Sequence, residues 1–227
     1  MAKPPSKRSS ATEINRFLQQ TKSITEFVAN QPRLLFAIDA TASRQPTWDT
    51  ACHLQQEMFQ ASGKIASLSV QLCYFRGFHD FSASPWLNNS AELSRKMSAV
   101  RCEGGHTQIA RLLKHAQTEH QKVAIKAVVF IGDAIEESPD SLCNLAGQCG
   151  LLKLPLFMFQ EGRNKRVTNT FKDMARLSGG AFAHFDQNSA RRLADLLGAV
   201  ASYAAGGRQA LENNNSEMAK ALLKQLP

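Results

Sequence analysis

Hydrophobic and polar residues follow two periods along the chain, and stretches of one period alternate with stretches of the other. Residues 33–39 carry a continuous apolar run, Leu34-Leu35-Phe36-Ala37-Ile38, that ends in the carboxylate of Asp39, the pattern of a strand covered on both faces. Ala124-Ile125-Lys126-Ala127-Val128-Val129-Phe130-Ile131 predicts a second, central strand ending at Gly132-Asp133, and residues 154–160 and 181–185 predict two more. Residues 65–76 alternate instead. Leu68, Val70, Leu72 and Tyr74 fall on one face, with Ser67, Ser69, Gln71 and Cys73 on the other, which predicts a half-buried strand. Gly77 follows, and Phe78-His79-Asp80-Phe81 can fold back as an edge hairpin.

Between these runs the apolar positions recur at helical spacing. Residues 12–29 predict a helix with Thr12 as N-cap and Ile14, Phe17 and Leu18 on one face, limited by Pro32. Pro46 and Asp49 open a helix to about residue 62, with Ala51, Leu54, Met58 and Ala61 as its stripe and Gly63 at its end. Further helices are expected over 89–100, 107–118 (Ile109, Leu112, Leu113, Ala116), 139–149, 164–177 (Val167, Phe171, Met174) and 189–205 (Leu193, Leu196, Leu197, Val200, Ala204). Strands alternating with helices specify a doubly wound α/β fold, a mainly parallel sheet with helices on both faces.

The expected organisation is a disordered basic tail over 1–11, one α/β domain over 12–205 including the N-terminal helix, and a helical extension over 206–227. The Gly206-Gly207 pair sets off that extension, an amphipathic segment carrying Leu211, Met218, Leu222 and Leu226.

Composition narrows the function classes. The chain has 227 residues and a formal net charge of +8. Lys3, Lys7 and Arg8 sit in the tail, and Arg163, Lys165, Arg166, Lys172 and Arg176 lie on one loop and helix. No nucleic-acid-binding motif accompanies either group, so solvated basic surface is the favoured reading. The N-terminus lacks the apolar core of a signal peptide, and no run is long enough for a membrane helix, which points to a cytoplasmic protein. Five scattered cysteines (Cys52, Cys73, Cys102, Cys143, Cys149) show no paired zinc spacing and read as free thiols in a reducing compartment.

The chemistry concentrates where the strands end. Asp39-Ala40-Thr41-Ala42-Ser43 places a carboxylate and two hydroxyls at alternating positions of one loop. Glu103-Gly104-Gly105-His106-Thr107 brings another hydroxyl to the start of a helix, and Asp133 closes the central strand. In an open α/β sheet, ligands gather outside the carboxyl ends of the strands. If the two strands are neighbours, Asp39, Thr41, Ser43, Thr107 and Asp133 form a five-oxygen cup. Hard oxygens suit Mg²⁺, and a site built mainly of neutral hydroxyls leaves the ion electrophilic toward one more carboxylate. Such chemistry suits metal-bridged binding better than hydrolysis.

These residues resemble the metal-ion-dependent adhesion site of von Willebrand factor A domains, an Asp-x-Ser-x-Ser loop, a later Thr and a later Asp. Thr41 replaces the first Ser and keeps the hydroxyl. The resemblance covers about residues 33–205 and implies a six-stranded sheet with one antiparallel edge strand. It implies that Thr41, Ser43 and Thr107 contact Mg²⁺ or Mn²⁺ directly or through water, with Asp39 and Asp133 acting largely through waters. It also implies a scaffold or adaptor that captures a Glu or Asp of a protein partner. Two departures stand out: His106 adds a bulky ring beside Thr107, and Glu136 or Glu137 offers a carboxylate that could fill the partner's place. The enzyme alternative is a Mg²⁺-dependent phosphohydrolase using Asp39. That design usually has a second carboxylate two residues on, where Thr41 stands.

Overall fold

The computed structural model describes residues 31–44, 68–185 and 190–227. The expected tail over 1–11 and the expected helices over 12–29 and 49–62 lie outside the described residues. The strands are β1 (Arg33–Asp39), β2 (Ser69–Arg76), β3 (Asp80–Ala83), β4 (Ile125–Gly132), β5 (Leu156–Glu161) and β6 (Ala181–Phe185). The helices are α1 (Ser90–Ser98), α2 (Ile109–Lys122), α3 (Pro139–Leu151), α4 (Lys165–Ser178), α5 (Ala190–Glu212) and α6 (Glu217–Leu223). A 3-10 turn, Ala42–Arg44, follows β1.

The strands form one six-stranded sheet in the order β3-β2-β1-β4-β5-β6. All neighbours run parallel except β3, which turns back antiparallel on β2 at the edge. The chain winds outward from β1 to β3, then returns to β4 on the other side of β1. The switch in winding direction therefore falls between β1 and β4, and a crevice opens beyond their carboxyl ends.

Alternation along the strands divides the core in two. Leu34, Phe36 and Ile38 of β1 join Val129, Ile131, Phe157 and Phe159 on one face, beneath Leu196, Val200 and Leu211 of α5. Leu35 and Ala37 join Val128, Phe130 and Met158 on the other, beneath α2, α3 and α4. Both faces are dry, as parallel strands require.

That second layer corrects the half-buried reading of the 65–76 segment. In β2 the nominally polar face is buried as well: Ser69 and Gln71 are each 5% exposed and Cys73 is fully buried. Ile109, Leu112, Leu113 and Ala116 of α2 pack in the same cluster as Cys73 and Phe75, so this face meets a helix instead of water. Gln71 is tolerated because its polar atoms are used, its Nε2 donating to Ser84 O (3.0 Å) and its Oε1 meeting His115 Nε2 (2.9 Å).

Burial lowers the His115 pKa below its ordinary 6.5, and nearby Lys122 adds to this while Glu119 opposes it. The folded chain therefore gains its proton at a lower pH than the unfolded chain does. The stabilisation is complete above pH 6.5 and is lost as pH falls through the folded value. The urea midpoint is expected to drop on acidification through this window, and the drop should shrink in His115→Gln. An equal drop in both proteins would remove His115 as its source.

The C-terminal residues pack on the first core face. Helix α5 departs from helical geometry at Gly206 and Gly207 (φ 67°), the break the glycine pair predicts. Beyond it, Leu211, Ala219, Leu222 and Leu226 are buried in the cluster beneath α5. At the sheet edge the N–H of Phe182 in β6 donates to Gln225 Oε1 (2.9 Å), and Gln225 Nε2 donates to Phe182 O (3.0 Å). Arg208 Nη1 holds the carbonyls of Leu226 (3.0 Å) and Pro227 (2.6 Å).

Candidate metal centre

The site is assembled from three loops beyond the carboxyl ends of β1 and β4. Strand β1 ends in Asp39, which is fully buried. The N–H of Thr41 donates to Asp39 Oδ1 (2.8 Å), so the carboxylate turns the chain sharply as it leaves the strand. Thr41 Oγ1 and Ser43 Oγ lie 3.2 Å apart in a shared hydrogen bond. Thr41 is buried and Ser43 exposed, so the hydroxyl pair runs from the sheet end out to solvent.

The second loop is tied to the first and to the β2–β3 turn. Glu103 N donates to Ala40 O (3.1 Å), pairing the loop with Thr41 in a short parallel bridge. His106 N donates to Gly77 O (3.1 Å). Gly105 is required here: a Cβ on it would lie 1.8 Å from Gly77 O. His106 faces outward, its ring set edge-on against Phe78 at 5.1 Å. Phe78 is 62% exposed, so the rim beside Thr107 carries an uncovered aromatic ring.

The third loop follows β4. Ile131 pairs with Ile38, which sets Gly132 level with Asp39; a Cβ at Gly132 would stand 3.5 Å from Asp39 Cβ. Asp133 comes next. Among the described residues no donor reaches Asp133 Oδ1, although that oxygen is buried. A buried carboxylate oxygen without a donor is costly unless a cation or water satisfies it.

Thr107 closes the arrangement, and it does so through the acidic pair after Asp133. Thr107 N donates to Glu136 Oε2 (2.7 Å), and Glu136 N donates to Thr107 Oγ1 (3.0 Å). Thr107 Oγ1 donates to Glu137 Oε2 (2.9 Å), while Glu137 Oε1 accepts from Ala110 N (2.7 Å) at the start of α2. Burial pushes the Glu137 carboxyl above its ordinary range and nearby Glu136 adds to this, against the pull of its Ala110, Thr107 and Ile109 donors.

All five sequence-derived residues thus sit on these three neighbouring loops, with Asp39, Thr41 and Ser43 on one, Thr107 on the next and Asp133 on the last. The clamp made by Glu136 and Glu137 is new information. The sequence offers Glu136 or Glu137 as a carboxylate that could fill the partner's place, whereas the structure engages both carboxylates with the 107–110 segment. No three His, Cys, Asp or Glu side chains are grouped for a metal among the described residues. The donor set is instead hydroxyls plus separated carboxylates, with the buried Asp133 oxygen, and this fits a hard cation of the Mg²⁺ type. No described helix is long and apolar enough to cross a membrane. The basic residues Arg163, Lys165, Arg166, Lys172 and Arg176 are all exposed on the β5–α4 loop and α4.

No protein-family model matches the chain, and no curated protein matches its sequence. Solved structures do match. The VWA domain of SpRpn10 superposes with a TM-score of 0.55 at 11% identity, over 72% of this chain and 95% of that one. The vWF domain of the type V pili tip protein Mfa5 from Porphyromonas gingivalis gives 0.59 at 10% identity, over 76% and 95%. Manganese-loaded Plasmodium vivax TRAP gives 0.55 at 14% identity, over 70% of each chain.

Proposed function

We propose that this chain, whose fold is that of von Willebrand factor A domains, is a metal-dependent protein-interaction module. In this reading Asp39, Thr41, Ser43, Thr107 and Asp133 hold Mg²⁺ or Mn²⁺, and a Glu or Asp of a protein partner completes the coordination. The observation that carries it is the buried Asp133 Oδ1 without a donor, just beyond the strand ends that flank the switch point. When bound, a cation held mainly by neutral oxygens keeps its Lewis acidity for one further anionic ligand.

The chain's own residues prepare that position. Asp39 bends the backbone so that Thr41 and Ser43 line up toward solvent. Glu136 and Glu137 are occupied by Thr107 and Ala110, which supports leaving the partner's position open instead of filling it from within. Phe78 and His106 give the rim an apolar side against which residues flanking the partner's carboxylate can pack. A scaffold or adaptor role in the cytoplasm belongs to the same reading.

The phosphohydrolase alternative gains no support from the geometry. Position 41 supplies a hydroxyl, and Asp39 Oδ1 accepts from Thr41 N instead of facing outward as a nucleophile would.

Affinity capture with the intact chain, in Mg²⁺ and in EDTA, tests the module. A partner retained in Mg²⁺, released by EDTA and missed by Asp39→Ala is the expected result. Capture indifferent to both changes would refute metal-bridged docking.

A further inference from the structure

Resting on that metal reading, we propose that Glu137 is a positioning residue: its carboxylate compels the Thr107 hydroxyl to donate, leaving one oxygen lone pair for the cation. A hydroxyl has one proton to give and two lone pairs. Glu136 N–H can only donate, and at 3.0 Å it takes one lone pair of Thr107 Oγ1. An ionised carboxylate can only accept, so at 2.9 Å Glu137 Oε2 takes the proton. Two of the three valences are thereby fixed by neighbours of invariant polarity, and the third is a lone pair. The charge of Glu137 also makes Oγ1 more electron-rich, as carboxylates behind metal ligands do.

The same carboxylate is anchored from its other side. Ala110 N donates to Glu137 Oε1 at 2.7 Å, so Glu137 faces donors with both oxygens. A glutamine in this place has one accepting atom and one donating group for two donor partners. If its oxygen stays on Ala110 N, its amide group points at Thr107. The hydroxyl must then accept from both Glu136 and residue 137, and it turns its proton toward the cation. If the amide flips, Ala110 N–H is opposed by another donor. Either way the Thr107 lone pair is lost or its loop is loosened.

The test is Mn²⁺ titration, by calorimetry or by the spin resonance of free Mn²⁺, of the full chain and five variants: E137Q, T107V, the double E137Q/T107V, and the isosteric pair E137D and E137N. Asp39→Ala serves as the site control, and metal-free melting reports the fold. E137Q is expected to weaken Mn²⁺ binding about ten-fold or more, in the range found for residues that orient metal ligands. The double variant should bind no more weakly than T107V, because Glu137 acts through Thr107. E137D should bind more tightly than E137N, which isolates acceptor polarity from size even if E137Q does not fold.

Wild-type affinity in E137Q, with binding abolished in Asp39→Ala, would overturn the role of Glu137 and leave the site itself standing. Independent, additive losses in the double variant would overturn action through Thr107. No Mn²⁺ binding by the wild-type chain would overturn the metal reading and this inference with it.

Discussion

Replacing Asp39 by alanine is expected to abolish the thermal stabilisation that Mg²⁺ or Mn²⁺ gives the wild-type chain. A ligand that binds only the folded state stabilises it by about 2.7 kcal/mol at a hundred times its Kd. For a domain of this size that raises Tm by roughly 5–10 °C. Asp39 lies fully buried at the end of β1, and its Oδ1 holds the N–H of Thr41 at 2.8 Å. Alanine removes a carboxylate and also the bond that sets the Thr41–Ser43 hydroxyls in line. The variant's own Tm will therefore change in the absence of metal, and the informative quantity is the shift on adding cation. Differential scanning in Mg²⁺, Mn²⁺ and EDTA measures it. Superimposable wild-type curves in all three would leave the site without a cation.

Gly105→Ala should cost nearly as much at the site while touching none of its oxygens. The new Cβ would lie 1.8 Å from Gly77 O, 2.0 Å from its carbonyl carbon and 2.4 Å from its Cα. All three are backbone atoms, so no rotamer change relieves the clash. The Gly77 turn is held by strand pairing at Arg76 and Asp80, and by the His106 N to Gly77 O bond that the clash would itself break. The 103–107 segment must swing outward and carry Thr107 with it. The expected loss is about 1–3 kcal/mol of stability, typical of overpacking, with at least a ten-fold weaker Mn²⁺ affinity. Gly104→Ala is the matched control, since nothing lies within 4 Å of a Cβ there. Equal melting and Mn²⁺ binding in the two variants would contradict the close approach.

The frame of the molecule was legible because burial on both faces leaves an unmistakable run. Residues 33–39 and the run ending at Gly132 became the two strands that flank the switch point, and the antiparallel edge hairpin fell where Gly77 allowed it. Asp39 at the end of β1 and Asp133 just past the end of β4 likewise fall where the apolar runs place them, and the proposed site rests on those positions. Two features escaped for physical reasons. In β2, alternation with Ser69, Gln71 and Cys73 looks like a wet face, and only the packing of α2 shows that it is covered. Helix α2 starts at Ile109 and not at 107, because Thr107 gives its N–H to Glu136 and its hydroxyl to Glu137. That exchange links side chains about thirty positions apart, a distance at which no periodicity carries information.

The Gln225 amide beside β6 has a consequence for how the protein can meet others. Donating to one peptide group and accepting from the same residue, it imitates the neighbouring strand that an edge would otherwise recruit. At Phe182 this border of the sheet is closed to β-addition, so the polymerising contacts that open edges invite are discouraged there.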